Sequence, residues 1–292
     1  MADRNDPNGA ETDGDRPVRD AGPAPDGVDV SRPSTARLYD YYLGGSDNFA
    51  VDREVADRLI ARAPDVRDAA WANRGFHGRA ARWMAGRGIR QFIDIGCGLP
   101  TRNNTHDTAR LARPDARVAY VDCDPQVAAH ARAIMAGHED GIAVVTADVR
   151  DPGALLADPG LRRLIDLREP AGLLMTAVMH FVADDDDPHG LVGRYVDALA
   201  PGSYLALSHG TTHSMSPRAV AAGIEAYSGA TEQLHLRTRA EIERFFDGLE
   251  IVPPYEGAEP AVTPVGMWGA VDPVLADSDG SRLLLAAVAR KP

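Results

Sequence analysis

From residue 91 to residue 208 the sequence alternates between two kinds of patterning. Five short apolar runs, at 91–95, 117–121, 143–146, 172–176 and 203–208, are separated by stretches with helical character at 104–112, 125–136, 153–166 and 188–200. Strands joined through helices pair in parallel by right-handed crossovers, so this alternation predicts an α/β fold around a mostly parallel sheet. The end of the chain breaks the rhythm. LEIVPPYE (249–256) and SRLLLAAVAR (281–290) are strand-like runs with no helical stretch between them. They predict an antiparallel pair that closes the sheet.

The rest of the chain narrows the class. With 292 residues, 44% of them hydrophobic, there is enough apolar material for one large core with an appendage. No apolar run approaches the roughly 18 residues that span a bilayer, so no membrane partner is expected. The first residues, MADRNDPNGAETDGD, lack the basic start and apolar middle of a signal peptide. Cys97 and Cys123 are the two cysteines, which points to a reducing cytoplasm rather than a disulfide framework. A net charge of −12 argues against nucleic-acid and anionic-membrane partners.

Three segments follow from composition. Residues 1–32 are expected to form a disordered acidic tail, because the first 30 residues hold eight acids, four prolines and four glycines and almost nothing to bury. Residues 33–88 read as an N-terminal helical cap or lid, with clustered tyrosines, a Gly44-Gly45 break and helices over about 52–61 and 65–84. Residues 89–292 read as the ligand-binding domain.

FIDIGCGLPT (92–101) ends the first strand and so lies on the edge where open parallel sheets bind ligands. A dinucleotide fingerprint needs a third glycine after Gly96 and Gly98, but Thr101 stands there, preceded by Pro100. Asp94 suits a ligand with an ammonium group better than a pyrophosphate. VAYVDCDP ends the second strand in Asp122 and Asp124, and an acid here can accept from ribose hydroxyls. TADVRDP ends the third strand in Asp148 and Val149, where a carboxylate can accept from an adenine amine. Taken singly, each aspartate also reads as a helix cap or turn residue. Taken together they outline an adenosine with a cationic tail.

These motifs, with ARLYDYYLGGSDNFAVDRE (36–54), LLMTAVMHFVADDDDP (173–188), LALSHGT (205–211) and LRTRAEIERFFDGLEIV (236–252), resemble the actinobacterial S-adenosyl methyltransferase family formerly called DUF574, within the class I superfamily. The resemblance covers about residues 33–290. It implies a Rossmann-like seven-stranded sheet of order 3-2-1-4-5-7-6, with S-adenosylmethionine as cofactor. It further implies Asp94, Gly96 and Gly98 at the methionyl end, Asp122 at the ribose, Asp148 at the adenine, and Met179–His180 as the wall after the fourth strand. Asn103 stands where relatives often have glycine, and the segment VTPVGMWGAVDP lacks the arginine expected near its tryptophan.

Chemistry at such a site is mostly positioning, because the donor brings its own leaving group. Arg37, Tyr39, Asp40, Tyr41, Tyr42 and Asp47 are candidate lid residues, the tyrosines through their affinity for a sulfonium. The tyrosines also read as staples for an N-terminal helix, and Arg37 as a partner of Asp40. His180 is the candidate base, with a packed, satisfied histidine as the other reading. Asn104 and His106 are candidate ligand contacts early in the next helix, or surface residues of it. No metal is expected: Asp187 before Pro188 reads as a helix cap, and His209 and His213 do not share a helix face. ALSHG around Ser208 resembles a nucleophile elbow, but no helix is expected after it. TRAE at 238–241 reads as a capping box. The function expected is methyl transfer to a small-molecule acceptor; the alternative is a non-catalytic S-adenosylmethionine-binding regulatory module.

Overall fold

The computed structural model describes residues 29–100, 103–135, 141–213 and 215–292. Thr101 and residues 1–28 of the expected acidic tail lie outside the described residues. Three helices come first: α1 (Thr35–Tyr42), α2 (Ala50–Arg62) and α3 (Val66–Gly86). The alternating part follows as β1 (Gln91–Ile95), α4 (Thr105–Arg110), β2 (Arg117–Asp122), α5 (Pro125–Met135), β3 (Ile142–Thr146), α6 (Pro152–Ala157), α7 (Pro159–Leu164), β4 (Gly172–Thr176), α8 (Pro188–Ala198) and β5 (Tyr204–Gly210). The chain closes with α9 (Pro217–Tyr227), α10 (Arg239–Glu243), β6 (Glu250–Ile251), β7 (Thr263–Pro264) and β8 (Leu284–Arg290).

The main sheet runs β3-β2-β1-β4-β5-β8-β6, with β7 also paired to β8. β1 to β5 are parallel neighbours, while β8 runs antiparallel between β5 and β6. The two-residue β7 raises the strand number to eight against the expected seven, and without it the order matches 3-2-1-4-5-7-6.

Both sheet faces are buried, which explains why the strands read as near-continuous apolar runs. Side chains alternate by face. Ile93, Ile95, Ala119, Val121, Leu173, Met175, Leu205 and Leu207 pack on one side with α7, α8 and the Phe245–Phe246 turn. Phe92, Val118, Tyr120, Leu174, Ala206 and Val288 pack on the other with Phe76, Ala80 and Met84 of α3 and with Trp268. A third cluster joins α1 and α2 to α9 through Leu38, Tyr42, Val55, Leu59, Ala70 and Tyr227. The segment 33–88 therefore splits: α3 is a layer of the sheet domain, and α1 and α2 form a roof completed by α9.

Local chemistry accounts for the breaks. The helix expected at 153–166 is two helices, because Pro159 disfavours helical geometry at Asp158. Asp158 then caps α7 by accepting from the Gly160 and Leu161 N–H groups. Asp187 caps α8 with Pro188 at the first helical position, as the sequence predicts, and Thr238 with Glu241 forms the capping box. The sequence reading misses α9, although Ser216 before Pro217 is a cap signal and its hydroxyl accepts from the Ala219 N–H. Among the described residues no helix is long and apolar enough to cross a membrane.

Candidate functional site

The carboxyl ends of β1 to β4 and the roof enclose a cavity of about 530 Å³. Its floor is the glycine turn. Gly96 and Gly98 have φ of 67° and 64°, the left-handed region that favours glycine. A Cβ on Gly96 would lie 2.4 Å from a Val178 methyl, whereas one on Gly98 would meet no atom within 4 Å. Gly96 thus allows close packing against the segment after β4, and Gly98 leaves open space. Asn103 also has positive φ, 61°, a conformation asparagine tolerates better than most residues.

Asp122 closes the turn from the β2 side. Its two carboxylate oxygens accept from the Gly98 N–H at 2.9 Å and the Asp124 N–H at 3.0 Å. Burial raises its pKa against those bonds. Each oxygen keeps a second lone pair for a ligand on the cavity wall. Asp124, expected as a cofactor contact, also lines the cavity; one of its oxygens caps the Gln126 N–H and the other accepts from the Ser34 hydroxyl.

Asp148 lines the cavity beyond β3 together with Val149. Arg150 binds Asp148 through Nε at 2.9 and 3.0 Å and bridges to both oxygens of Glu232. Partial burial pulls the Asp148 pKa up, but the bonds and charge of Arg150 outweigh it and hold it below the usual range. The Val149 carbonyl accepts from the Tyr195 hydroxyl.

Asp94 is buried and does not border the main cavity; it borders a separate void of about 10 Å³. Its Oδ2 accepts from Thr105 Oγ1 at 2.5 Å, and its Oδ1 meets no partner among the described residues. Burial pushes its pKa up to about 6. His77 joins Thr105 through Nε2 at 2.7 Å and Thr176 through Nδ1 at 2.9 Å. His77 and Thr176 line the large cavity.

The roof sorts the expected lid residues. Arg37, Tyr39 and Tyr42 line the cavity; Asp40 and Asp47 do not. Arg37 pairs at 2.7 Å with buried Asp52, not with Asp40, and also reaches Gln126 Oε1 and the carbonyls of Asp29 and Arg32. Asp29 and Arg32, within the span expected as a tail, are thereby tied to α1. Tyr39 donates to the Ala70 carbonyl and accepts from Asn73. Asp40 is turned inward, accepting from the Asn48 amide and the Asp47 N–H, because the Gly44-Gly45 turn folds back over it. The Asp47 carboxylate lies 3.9 Å from His130 instead. Tyr41 binds Asp57.

Three further expectations are corrected. Met179 is fully buried in the core and off the cavity, because the segment after β4 coils into a short 3₁₀ turn. His180 reaches the cavity, but its Nδ1 accepts from the Gly210 N–H at 3.0 Å, so its ring proton sits on Nε2. Burial and the nearby Arg237 push its pKa down to about 3. It is therefore a neutral donor, with its lone pair committed, and not a base. Asn104 and His106 border the small void rather than the cavity. Asn104 caps α4 with Asp107, and His106 bonds the Tyr120 hydroxyl at 2.7 Å.

Beyond the strand ends the cavity turns apolar. Leu59, Val66, Phe181, Met215, Tyr227 and Leu234 form a chamber between α2, α3 and α9. Asn73, His77 and Thr176 escape the sequence reading, and Ser208, read there only as resembling a nucleophile elbow, is a partner of Asn73. Ser208 donates to Asn73 and accepts from the Ala177 N–H, holding Ala177 at a φ of 56°. A signal was present: Asn73 and His77 are polar residues four apart on the buried face of α3.

A family model described as S-adenosyl methyltransferase matches residues 21–292. A crystal structure from Thermobifida fusca YX, provisionally described as a methyltransferase, is 41% identical with a TM-score of 0.82, covering 90% of this chain and 96% of that one. A DUF574 family protein from Streptomyces avermitilis MA-4680 is 39% identical with a TM-score of 0.82, covering 89% and 98%. Comparison with curated proteins finds no match.

Proposed function

The chain belongs to the S-adenosyl methyltransferase family, and from that premise we propose that it methylates a small, largely apolar acceptor held beneath the roof. Methyl transfer dependent on S-adenosylmethionine follows from the family; the acceptor class is our reading. One observation carries it. A single cavity runs from the glycine turn, Asp122 and Asp148 to the chamber of Leu59, Phe181, Met215 and Tyr227. About 530 Å³ suits a small molecule, within the range of about 300–1,000 Å³ for ligand pockets.

The residues fit the cofactor. Gly98 leaves room where a side chain would intrude, Asp122 has lone pairs for ribose hydroxyls, and Asp148 lies one strand further for the adenine amine. When bound, S-adenosylmethionine supplies an electrophilic methyl group together with its leaving group. This chain's part is to hold, orient and exclude water. α1 and α2 act as the cap, and Tyr39 and Tyr42 present aromatic surface to the cavity. His180 offers a fixed Nε2–H donor, which suits an acceptor oxygen. Free Cys97 and Cys123 support a reducing, cytoplasmic setting.

Calorimetry with S-adenosylhomocysteine and NADH, followed by an acceptor screen scored on S-adenosylhomocysteine release, tests this reading. Binding of the nucleoside and turnover of apolar ring-sized acceptors is expected. Tighter binding of NADH would end it.

A further inference from the structure

Three side chains link buried Asp94 to the cavity wall, and with Asp94 ionised only one arrangement of their protons is consistent. An ionised carboxylate accepts only, so Thr105 donates its hydroxyl to Asp94. Thr105 Oγ1 must then accept from His77, which fixes the ring proton on Nε2. His77 Nδ1 is left bare and accepts the hydroxyl proton of Thr176. Burial pulls the His77 pKa down, so the ring carries one proton only. Thr176 ends β4 on the cavity wall with its own proton committed. To a ligand it can offer only an acceptor.

We propose that Asp94 acts on the cofactor through Thr105, His77 and Thr176 rather than by touching it, and that Thr176 Oγ1 accepts from the ammonium group at the methionyl end of S-adenosylmethionine. This inference rests on the methyltransferase reading. Three observations choose an ammonium over other donors. The chain ends on a carboxylate, and hydrogen bonds in series polarise toward the charge, so the exposed oxygen favours a cation. Thr176 adjoins the glycine turn, since β4 pairs with β1 and Val178 packs on Gly96. Of the other acids of this edge, Asp148 is paired with Arg150, Asp124 holds Ser34 and Gln126, and Asp122, which accepts from the Gly98 and Asp124 N–H groups, is assigned to the ribose. Thr105 and His77 are then positioning residues, and Asp94 is felt by the ligand at one remove.

The test compares S-adenosylhomocysteine with 5′-methylthioadenosine, which keeps the adenosine and sulfur but lacks the amino-acid end. Calorimetry on the full chain should show Thr176→Val weakening S-adenosylhomocysteine about 10- to 100-fold, the effect of one charge-assisted bond. Methylthioadenosine affinity should stay within about twofold, and Thr176→Ser should restore the wild-type ratio. Nitrogen-15 spectra of the wild type should show His77 with Nε2 protonated and Nδ1 bare. Equal loss for both nucleosides, no loss for either, or a protonated Nδ1 would overturn the proposal. Failure of the wild type to bind S-adenosylhomocysteine would instead remove the methyltransferase reading beneath it.

Discussion

Ser34 of the roof donates its hydroxyl to Asp124 at 2.8 Å, so of the two acids ending β2, both of which line the cavity, Asp124 also carries the roof. The two should separate on mutation. Asp122→Ala removes the acid proposed for the ribose and should weaken S-adenosylhomocysteine binding by about 30- to 150-fold, or roughly 2–3 kcal/mol. Asp124→Ala should cost less affinity but lower the melting temperature, since it removes a helix cap, about 1 kcal/mol, and the tie to Ser34. Calorimetry and thermal melts on both variants check this. A larger affinity loss in Asp124→Ala would show that the ligand sits on the wrong acid.

Asp94 should make the unliganded fold less stable as pH rises. Its folded pKa, about 6, stands above the ordinary 3.8. Below 3.8 both folded and unfolded states hold the proton and the site costs nothing. As pH rises through about 6 the folded carboxylate must ionise while buried, and about 2–3 kcal/mol of stability is lost. Asp94→Asn should therefore gain stability relative to wild type between pH 4 and pH 7.5. The difference between the two pH values is the readout, because any cost of the buried amide is the same at both. A flat difference would mean that Asp94 is not perturbed.

His180 should stay neutral and hold its proton on Nε2 throughout pH 5–8, as nitrogen-15 spectra can report. His180→Gln, which places an amide N–H near the same point, should keep more methyl-transfer activity than His180→Phe. A titration of His180 near pH 6.5 would restore it as a base.

Arg37→Ala should destabilise the protein by about 3–5 kcal/mol, because it strands the buried Asp52 carboxylate and frees Gln126. Denaturant unfolding measures this. A loss under 1 kcal/mol would mean that the roof is held by packing alone.

The sheet was legible because its signal is local. Each parallel strand is a short apolar run closed by polar residues, and its carboxyl end follows from chain direction. The acids at 94, 122 and 148 could thus be placed on one edge before any coordinates. Their division of labour could not. Asp122 and Asp124 differ by two residues, and what separates them is Ser34, 90 residues away. The buried polar chain was hidden for the same reason: His77 meets Thr176 across 99 residues and Asn73 meets Ser208 across 135. Asp40 and Asp47 show the converse limit. Interleaved glycines and tyrosines mark a turn beside a site, but not which side chain the turn folds inward.

The chamber beyond the strand ends is walled by α2, α3, α9 and the loops flanking α9, whereas the edge proposed for the donor is built from the ends of β1 to β4. Substitutions at Leu59, Met215 or Leu234 change the shape offered to an acceptor without touching a residue of the glycine turn or Asp122. Acceptor preference can therefore drift between descendants of one ancestor while the donor stays fixed, and a library confined to those walls is the economical route to new substrates.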